Sequence, residues 1–294
     1  SLNEINQNTP QEQIVRIMQR TYEQGLTSLS GGNISMMDEQ QNFFITPTAI
    51  DKGNLKAEDI VQFNKSGEFF GLHTPSSEYP FHWAIYRRRA DVHAVVHTHS
   101  PALIAFSIAG KTPDANLTPV TLRTCGEVGF VPYATPGSQQ LGELIAEQFA
   151  NGSNVVILEN HGAVAVGPDI LTAFQRLETL EYSARTYIYA HQLGKTRNSL
   201  SAKLLDIWDQ PVPFISSQLP YMEGEEQQLA KLCEIVQRAY HHHLMVSSTG
   251  SASLRQADNQ FIITPANQDR CWLQPEHLIK ISAEKAQGNY PPSR

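Results

Sequence analysis

Three histidines near the ends of predicted strands are the residues of this chain whose types and spacing best suit metal chemistry. His97 and His99 alternate within residues 92–99, and alternate side chains of a β-strand share a face, so both imidazoles can reach one point. Such a pair alone is more often packed or solvent-facing than ligating. His161 changes that weighting, because it stands in an Asn-His-Gly turn directly after the apolar run at 155–158. Together the three imidazoles predict an open zinc site with room for a substrate.

Glu78, at the start of a predicted helix, is the candidate for proton transfer beside that metal. The helix dipole alone also favours a glutamate in the first turn, so a purely structural role stays open. Ser76 and Ser77 precede it as predicted caps, and hydroxyls with free backbone N–H groups at a helix N-terminus suit a phosphate or carboxylate. The segments 31–33 and 46–48 can supply further donors to the same anion.

Helices that alternate with strands must hold these residues in place. Residues 9–12, Thr-Pro-Gln-Glu, form a capping box that begins a first helix, and Ser138 and Asp169 begin two others. Short apolar runs at 43–46 and 155–158 predict buried strands. This order of elements predicts a layered α/β domain.

Six short motifs then occur in the order and spacing of one protein family. They are GGNIS at 31–35, ITPT at 45–48, PSSE at 75–78, VVHTHS at 95–100, PYATPGS at 132–138 and ENHG at 159–162. On these motifs the chain resembles the class II aldolase/adducin family, which includes L-fuculose-phosphate aldolase-like zinc enzymes. Any one motif is weak evidence, whereas six in order are specific.

The resemblance implies a fold, a cofactor and a set of residue roles. The implied fold is a three-layer α/β/α sandwich around a mostly antiparallel mixed sheet, assembled as a homo-oligomer, commonly a tetramer. The implied reaction is the zinc-dependent cleavage or formation of a C–C bond in a small phosphorylated or carboxylated keto-sugar, through a metal-bound enediolate. The implied metal ligands are His97, His99 and His161, and the implied acid/base is Glu78. The residues implied to bind the phosphate are Asn33, Thr48, Ser76 and Ser77.

Departures from the family pattern leave the substrate open. The phosphate loop of fuculose-phosphate aldolases has a glycine where this chain has Ala49, and their tyrosine proton donor falls near Thr118 or Pro119. The epimerase members' aspartate falls near Leu122, which argues against epimerisation. A dehydratase with the same metal site, and an adducin-like structural domain without catalysis, are the alternatives. Adducin heads lack the metal histidines, so the intact set of histidines and glutamate favours an enzyme.

Composition excludes several other classes of function. The 294-residue chain has a net charge of −7, so it lacks the basic field that binds nucleic acid or anionic lipid. No apolar run approaches the ~20 residues of a membrane-spanning helix, and we expect no signal peptide. Three scattered cysteines indicate neither a disulfide framework nor a CxxC metal site. We therefore expect a cytoplasmic protein whose partner is a small-molecule sugar phosphate.

The C-terminal part of the chain repeats the beginning of this domain. At a shift of 218 positions, Arg20 lies over Arg238, and the Ile-Thr-Pro at 45–47 lies over an identical triplet at 263–265. This second copy has no His-x-His strand, since the histidines at 241–243 fall at the end of its first predicted helix. We therefore expect it to lack a metal site.

Three parts of the chain are therefore predicted. Residues 1–194 form the aldolase-like catalytic domain, and residues 195–224, with Pro211, Pro213 and Pro220, form a linker. Residues 225–294 form a partial second copy of the domain, which we expect to serve as an assembly or site-covering appendage.

Overall fold

A computed structural model describes residues 5–194, 199–208, 213–217, 224–257, 259–282 and 285–293. The chain divides into two units, and the division falls between Leu200 and Ser201. The first unit combines helices with a mixed sheet, which confirms the predicted α/β class. Within the described ranges, no helix has both the length and the apolar character needed to cross a bilayer.

The elements of the first unit follow the chain in this order. Its helices are α1 (Pro10–Glu23), α2 (Tyr79–Arg88), α3 (Pro101–Ile108), α4 (Pro119–Cys125), α5 (Gln139–Ala150) and α6 (Ile170–Gln192). Its strands are β1 (Asn33–Met37), β2 (Phe43–Ile45), β3 (Val61–Phe63), β4 (Phe69–Phe70), β5 (Ala94–Thr98), β6 (Val128–Val131), β7 (Val155–Leu158) and β8 (Gly162–Gly167).

Most of these helices begin at side chains that satisfy free backbone N–H groups. The predicted capping box at Thr9 is confirmed at the start of α1, and the Ser138 and Asp169 side chains cap α5 and α6 as predicted. Helix α2 differs, because its N-cap is Glu78 rather than one of the two preceding serines, and the Glu78 side chain makes no capping bond. That carboxylate is directed into the candidate site instead.

One sheet organises the first unit, with the strand order β4-β3-β2-β1-β5-β8-β7-β6. Neighbouring strands are antiparallel except for the parallel pair β6 and β7, so the predicted mostly antiparallel mixed sheet is confirmed. Strand β1 places Asn33 opposite His97 of β5, and β5 places His97 opposite Val164 of β8. The strand with the first histidine therefore lies in the middle of the sheet.

Helices cover both faces of this sheet. On one face, Phe81 and Ile85 of α2 and Phe149 of α5 pack with the inward-facing Val95 and Val164 in one apolar cluster. On the other face, α6 contacts β5, β8, α1 and α3. The arrangement is the three-layer α/β/α sandwich that the motifs predicted.

The second unit has a smaller sheet of its own. It contains α7 (Ala202–Trp208), β9 (Ile215–Ser216), α8 (Glu226–His241), β10 (Ser253–Ala257), β11 (Gln260–Ile263), β12 (Ile279–Ser282) and β13 (Ala286–Gly288). The strand order is β10-β11-β12-β13-β9, with β9 parallel to β13. Helix α7 and strand β9 thus fall inside the predicted linker at 195–224, while Pro211 and Pro220 lie outside the described residues.

The pairing in the second unit follows that in the first at the shift of 218 positions. Ser253 lies opposite Ile263 in β10 and β11, as Ser35 lies opposite Ile45 in β1 and β2. A bridge between two prolines also occurs in each unit, at Pro47 and Pro75 and at Pro265 and Pro292.

Candidate active site

Four side chains converge where β5 ends, α2 begins and β7 turns into β8. One candidate ligand atom from each of Glu78, His97, His99 and His161 lies within 4.8 Å of the others. It is the single such group of histidine, cysteine and carboxylate side chains among the described residues. The structure thus brings together the three histidines that the sequence singled out, and it adds Glu78 as a fourth possible ligand.

The sheet fixes the ring of His97. The fully buried His97 lies on β5, and its Nδ1 is 2.9 Å from the carbonyl oxygen of Ala163 on the neighbouring β8. Because a carbonyl only accepts, the Nδ1–H donates to it, and in the neutral ring the lone pair is then on Nε2. A second partner of this kind orients metal-ligating histidines in general.

Two glycines let the backbone come close to the histidine rings. A Cβ atom at Gly162 would lie 2.3 Å from the carbonyl oxygen of Thr98, and one at Gly31 would lie 2.8 Å from Nδ1 of His99. Neither position has room for a larger residue unless its neighbours shift. The glycines of the GGN and NHG segments are therefore explained by close approach to the site.

Three of the separations between the ligand atoms suit a tetrahedral metal ion. Nε2 of His97 lies 3.2 Å from Nε2 of His99 and 3.2 Å from Oε2 of Glu78. Nε2 of His161 lies 3.2 Å from Oε1 of Glu78. Ligand atoms held at ~2.0–2.1 Å from a tetrahedral zinc ion are roughly 3.3 Å apart, so these separations fit. The buried Nδ1 of His161 makes no hydrogen bond within the described part of the chain.

Burial and charge set the protonation of this cluster. Burial raises the pKa of the Glu78 carboxyl, but the adjacent His97 and His161 outweigh it and hold that pKa well below its usual range. Burial also lowers the pKa of His97, and the Glu78 carboxylate more than compensates. For His99, burial together with His97 and His161 lowers the pKa to about 4. A neutral imidazole is the form that binds a metal.

The two segments predicted to bind phosphate lie side by side. Residues 46–48 and 74–76 are joined by the bridge between Pro47 and Pro75 and by backbone hydrogen bonds on either side of it. Thr48 and Ser77 are exposed, whereas Ser76 is buried. Phosphate binding by these residues stays a prediction.

Asn33, also predicted to bind phosphate, lies against Glu78. Its Nδ2 donates to Oε2 of Glu78 at 2.8 Å, and its Oδ1 faces Nε2 of His82. Sequence reasoning did not single out His82, or Tyr86 one further turn along the helix. The spacing of positions 78, 82 and 86 was the available signal, because residues four apart share one face of a helix.

Lys52 was also missed, and it lies beneath the 46–48 segment. The residue is 1% exposed, and its ammonium donates to the carbonyl oxygen of Pro47. Burial lowers the pKa of Lys52 to about 8.

Comparison with known proteins identifies the family of the first unit. The family model for the class II aldolase and adducin N-terminal domain matches residues 12–188. An L-fuculose phosphate aldolase of Methanocaldococcus jannaschii is 34% identical over 174 residues, which is 59% of this chain and 93% of that protein. A 3-oxo-tetronate 4-phosphate decarboxylase of Haemophilus influenzae is 31% identical over 180 residues, which is 60% and 85% of the two chains.

Solved structures give the same result. An L-fuculose 1-phosphate aldolase structure superimposes with a TM-score of 0.62 at 29% identity, over 67% of this chain and 93% of that one. These similarities concern the first unit, since the family match ends at residue 188.

Proposed function

Since this chain belongs to the class II aldolase and adducin family, we propose that it is a zinc-dependent lyase of the class II aldolase type. It cleaves or forms a C–C bond in a small phosphorylated or carboxylated keto-sugar. The observation that carries the proposal is the cluster of Glu78, His97, His99 and His161, whose ligand atoms lie within 4.8 Å of one another.

The roles of the cluster follow from its donors. His97, His99 and His161 hold the metal, which when bound supplies a Lewis acid that stabilises negative charge on the substrate. A catalytic zinc site keeps one position open for substrate, so we assign proton transfer to Glu78 rather than permanent ligation. Its Oε2 accepts a hydrogen bond from Asn33, whereas its Oε1 lies 3.2 Å from Nε2 of His161, a metal ligand in this proposal, so we assign the proton exchange to Oε1.

The substrate's anionic group binds beside the cluster in this proposal. The hydroxyls of Thr48 and Ser76, on the paired segments 46–48 and 74–76, and that of Ser77 lie near the N-terminus of α2. Such a set of neutral donors suits a phosphate. Asn33 can contribute its second amide N–H.

Decarboxylation is a second candidate reaction. The Haemophilus influenzae relative is named a 3-oxo-tetronate 4-phosphate decarboxylase, and its identity to this chain is close to that of the aldolase relative. Loss of CO₂ from a 3-oxo acid leaves negative charge on the same two carbons and oxygen as retro-aldol cleavage does. The metal and Glu78 therefore serve either reaction.

We also propose an organisation for the whole chain. Residues 225–294 are a partial second copy of the domain without a metal site, which is supported by the matching strand register at a shift of 218 positions. The protein acts as a homo-oligomer, a tetramer as in the family. A cytoplasmic location is supported by the three cysteines, Cys125, Cys233 and Cys271, which are buried thiols rather than disulfides and so suit a reducing compartment.

Metal analysis and kinetics test the function together. We expect about one zinc ion per chain, its loss in His97→Ala and in His161→Ala, and its retention in the control His242→Ala, which removes an exposed histidine of the second unit. Glu78→Gln is expected to keep zinc and to lower turnover by about 10²- to 10⁴-fold. Stoichiometric zinc in both histidine variants would overturn the ligand assignment.

The choice of reaction is decided by products. The protein is incubated with ketose 1-phosphates and with 3-oxo acid phosphates, and release of an aldehyde or of CO₂ is measured. Aldehyde release supports the aldolase proposal, and CO₂ release alone supports the second candidate. Turnover of neither class would leave the adducin-like alternative.

A further inference from the structure

Helix α2 and strand β1 place five polar side chains in one buried row. Glu78, His82 and Tyr86 share a face of the helix, because they are four positions apart, and Asn33 and Ser35 alternate on one face of the strand. None of the five residues is more than 8% exposed. Polar groups buried in this way must satisfy one another.

Hydrogen bonds join the row from end to end. Tyr86 Oη lies 2.8 Å from Ser35 Oγ, which lies 2.7 Å from Nδ1 of His82. Nε2 of His82 contacts Oδ1 of Asn33, and Nδ2 of Asn33 donates to Oε2 of Glu78 at 2.8 Å. The row therefore ends on the carboxylate that we assign to proton transfer.

The donors and acceptors can be assigned from the Glu78 end. An ionised carboxylate only accepts, so the Asn33 amide must present its nitrogen to Glu78 and its oxygen to His82. Nε2 of His82 must then carry a hydrogen. Complete burial lowers the pKa of His82 to about 3, so the ring is neutral and its Nδ1 accepts from Ser35.

The far end of the row follows in the same way. The single hydroxyl hydrogen of Ser35 is used towards His82, so Ser35 accepts from the hydroxyl of Tyr86. Every hydrogen bond points towards Glu78.

We infer that His82 is a positioning residue, which orients Asn33 so that its amide holds Oε2 of Glu78 and leaves Oε1 for the proton. This inference rests on the proposed function of Glu78. Without the His82 N–H, Oδ1 of Asn33 loses the donor that holds the amide in place against the carboxylate. The Glu78 carboxylate is then no longer held in one orientation, although it stays in the site.

Two substitutions at position 82 separate positioning from packing. His82→Gln can keep both bonds, because its carbonyl accepts from Ser35 and its amide donates to Asn33. His82→Leu has a similar volume and can make neither. We expect kcat to fall about tenfold or more in His82→Leu, with KM changed less than threefold, and we expect His82→Gln to recover most of the loss.

A control and a double variant sharpen this test. Ile85→Val alters a fully buried apolar residue of the same helix and should leave kcat unchanged. In a Glu78→Gln background, His82→Leu should lower kcat less than twofold further, because its effect acts through Glu78. Equal losses in His82→Leu and His82→Gln, or additive losses in the double variant, would overturn the inference.

Nuclear magnetic resonance supplies a readout that does not depend on activity. In the ¹⁵N-labelled full chain at neutral pH, we expect the His82 hydrogen on Nε2 alone. The side-chain amide signals of Asn33 should shift in His82→Leu and stay near their wild-type positions in His82→Gln. A hydrogen on Nδ1 would overturn the inference even if the lyase activity is confirmed. The expected tautomer in a protein without lyase activity would instead count against the proposed function alone.

Discussion

The two units of this chain share a frame, which is a helix followed by an antiparallel pair of strands, but they differ in the chemically active side chains attached to it. In each, a helix leads into an antiparallel pair of strands in the same register, and a left-handed residue follows at equivalent positions, Ala49 and Asn267. The first unit then adds α2, β5 and the turn after β7, which supply Glu78 and the three histidines. No comparable cluster occurs among the described residues of the second unit. The frame therefore forms without the site, and the site depends on elements outside the frame.

A buried cation shows how the shared frame is used differently. The ammonium of Lys52 donates to the carbonyl oxygen of Pro47. At the equivalent position, the guanidinium of Arg270 donates to the carbonyl oxygens of Gly250 and Gln268 and to Oγ of Ser293. Ser293 corresponds to Ser76 with a slip of one residue. In the second unit, Arg270 thus donates a hydrogen bond to Ser293. The corresponding residue of the first unit is Ser76, which we propose binds the anionic group of the substrate.

The largest expected difference between the units is that the first folds on its own, whereas the segment 225–294 of the second does not. Residues 1–200 alone should unfold cooperatively in urea and retain zinc, because they contain the complete sheet and site. Residues 225–294 alone should show no cooperative transition, since they omit β9 and have a small apolar cluster. Circular dichroism during urea titration measures both. A cooperative transition with bound zinc in the short segment would contradict the comparison.

The two buried cations should give different pH dependences of stability. The ordinary pKa of a lysine is 10.5, and burial lowers that of Lys52 to about 8, so the unfolded chain binds more protons between these values. The free energy of unfolding should therefore rise with pH over this window, and the buried charge should cost roughly 3 kcal/mol below it. Lys52→Met should be more stable than the wild type at pH 7 and should lack that rise.

Arg270→Met is the matched control for this measurement. Burial lowers the pKa of Arg270 only to about 10, so its own window lies above pH 10. Urea unfolding at pH 7, 8.5 and 10 gives the free energy of unfolding at each pH. Its rise with pH should be the same in Arg270→Met as in the wild type and smaller in Lys52→Met. Parallel curves for the wild type and Lys52→Met would show that Lys52 does not carry the effect.

The serines at equivalent positions of the two units should contribute differently to the affinity for substrate. The double variant Ser76→Ala/Ser77→Ala should raise KM by about tenfold and change kcat less than threefold, as expected when uniform binding is lost. Ser293→Ala removes the equivalent hydroxyl in the second unit and should leave both constants unchanged. Steady-state kinetics of each variant decide the question. An equal fall in kcat and kcat/KM would instead place the two serines in contact with the transition state.

The smallest expected effect is at the left-handed position. Ala49 has a φ of 56°, a region that disfavours a Cβ atom. Ala49→Gly should stabilise the first unit by about 0.5 kcal/mol, because relief of this strain exceeds the added entropy of the unfolded chain. Asn267→Gly should gain less, since asparagine tolerates this region. A loss of stability in Ala49→Gly would show that the strain is negligible.

The sequence predicts best those features that depend on local spacing. The shared face of His97 and His99 follows from the two-residue period of a strand, and the starts of α1 and α6 follow from capping side chains. The caps predicted for α2, Ser76 and Ser77, are wrong, because its N-cap is Glu78, whose carboxylate lies in the site.

Contacts between distant elements were not predictable from one sequence. The bonds of His82 to Asn33 and Ser35 join residues 49 and 47 positions apart and depend on how α2 packs on β1. Burial of Lys52 runs against the strong preference of lysine for the surface. Strand β9 has two residues, and it is a strand only because β13 lies beside it.

The position of β5 in the sheet has a consequence for the order of folding. Its pairings join Asn33 to His97 and His97 to Val164, each over more than sixty positions, whereas β1, β2 and β3 pair with near neighbours in sequence. Closing long loops is slow, so the local hairpins should form early and the histidine strand should dock late. A refolding chain would then pass through a stage that resembles the second unit, with the hairpins in register and no site. Activity should return more slowly than secondary structure.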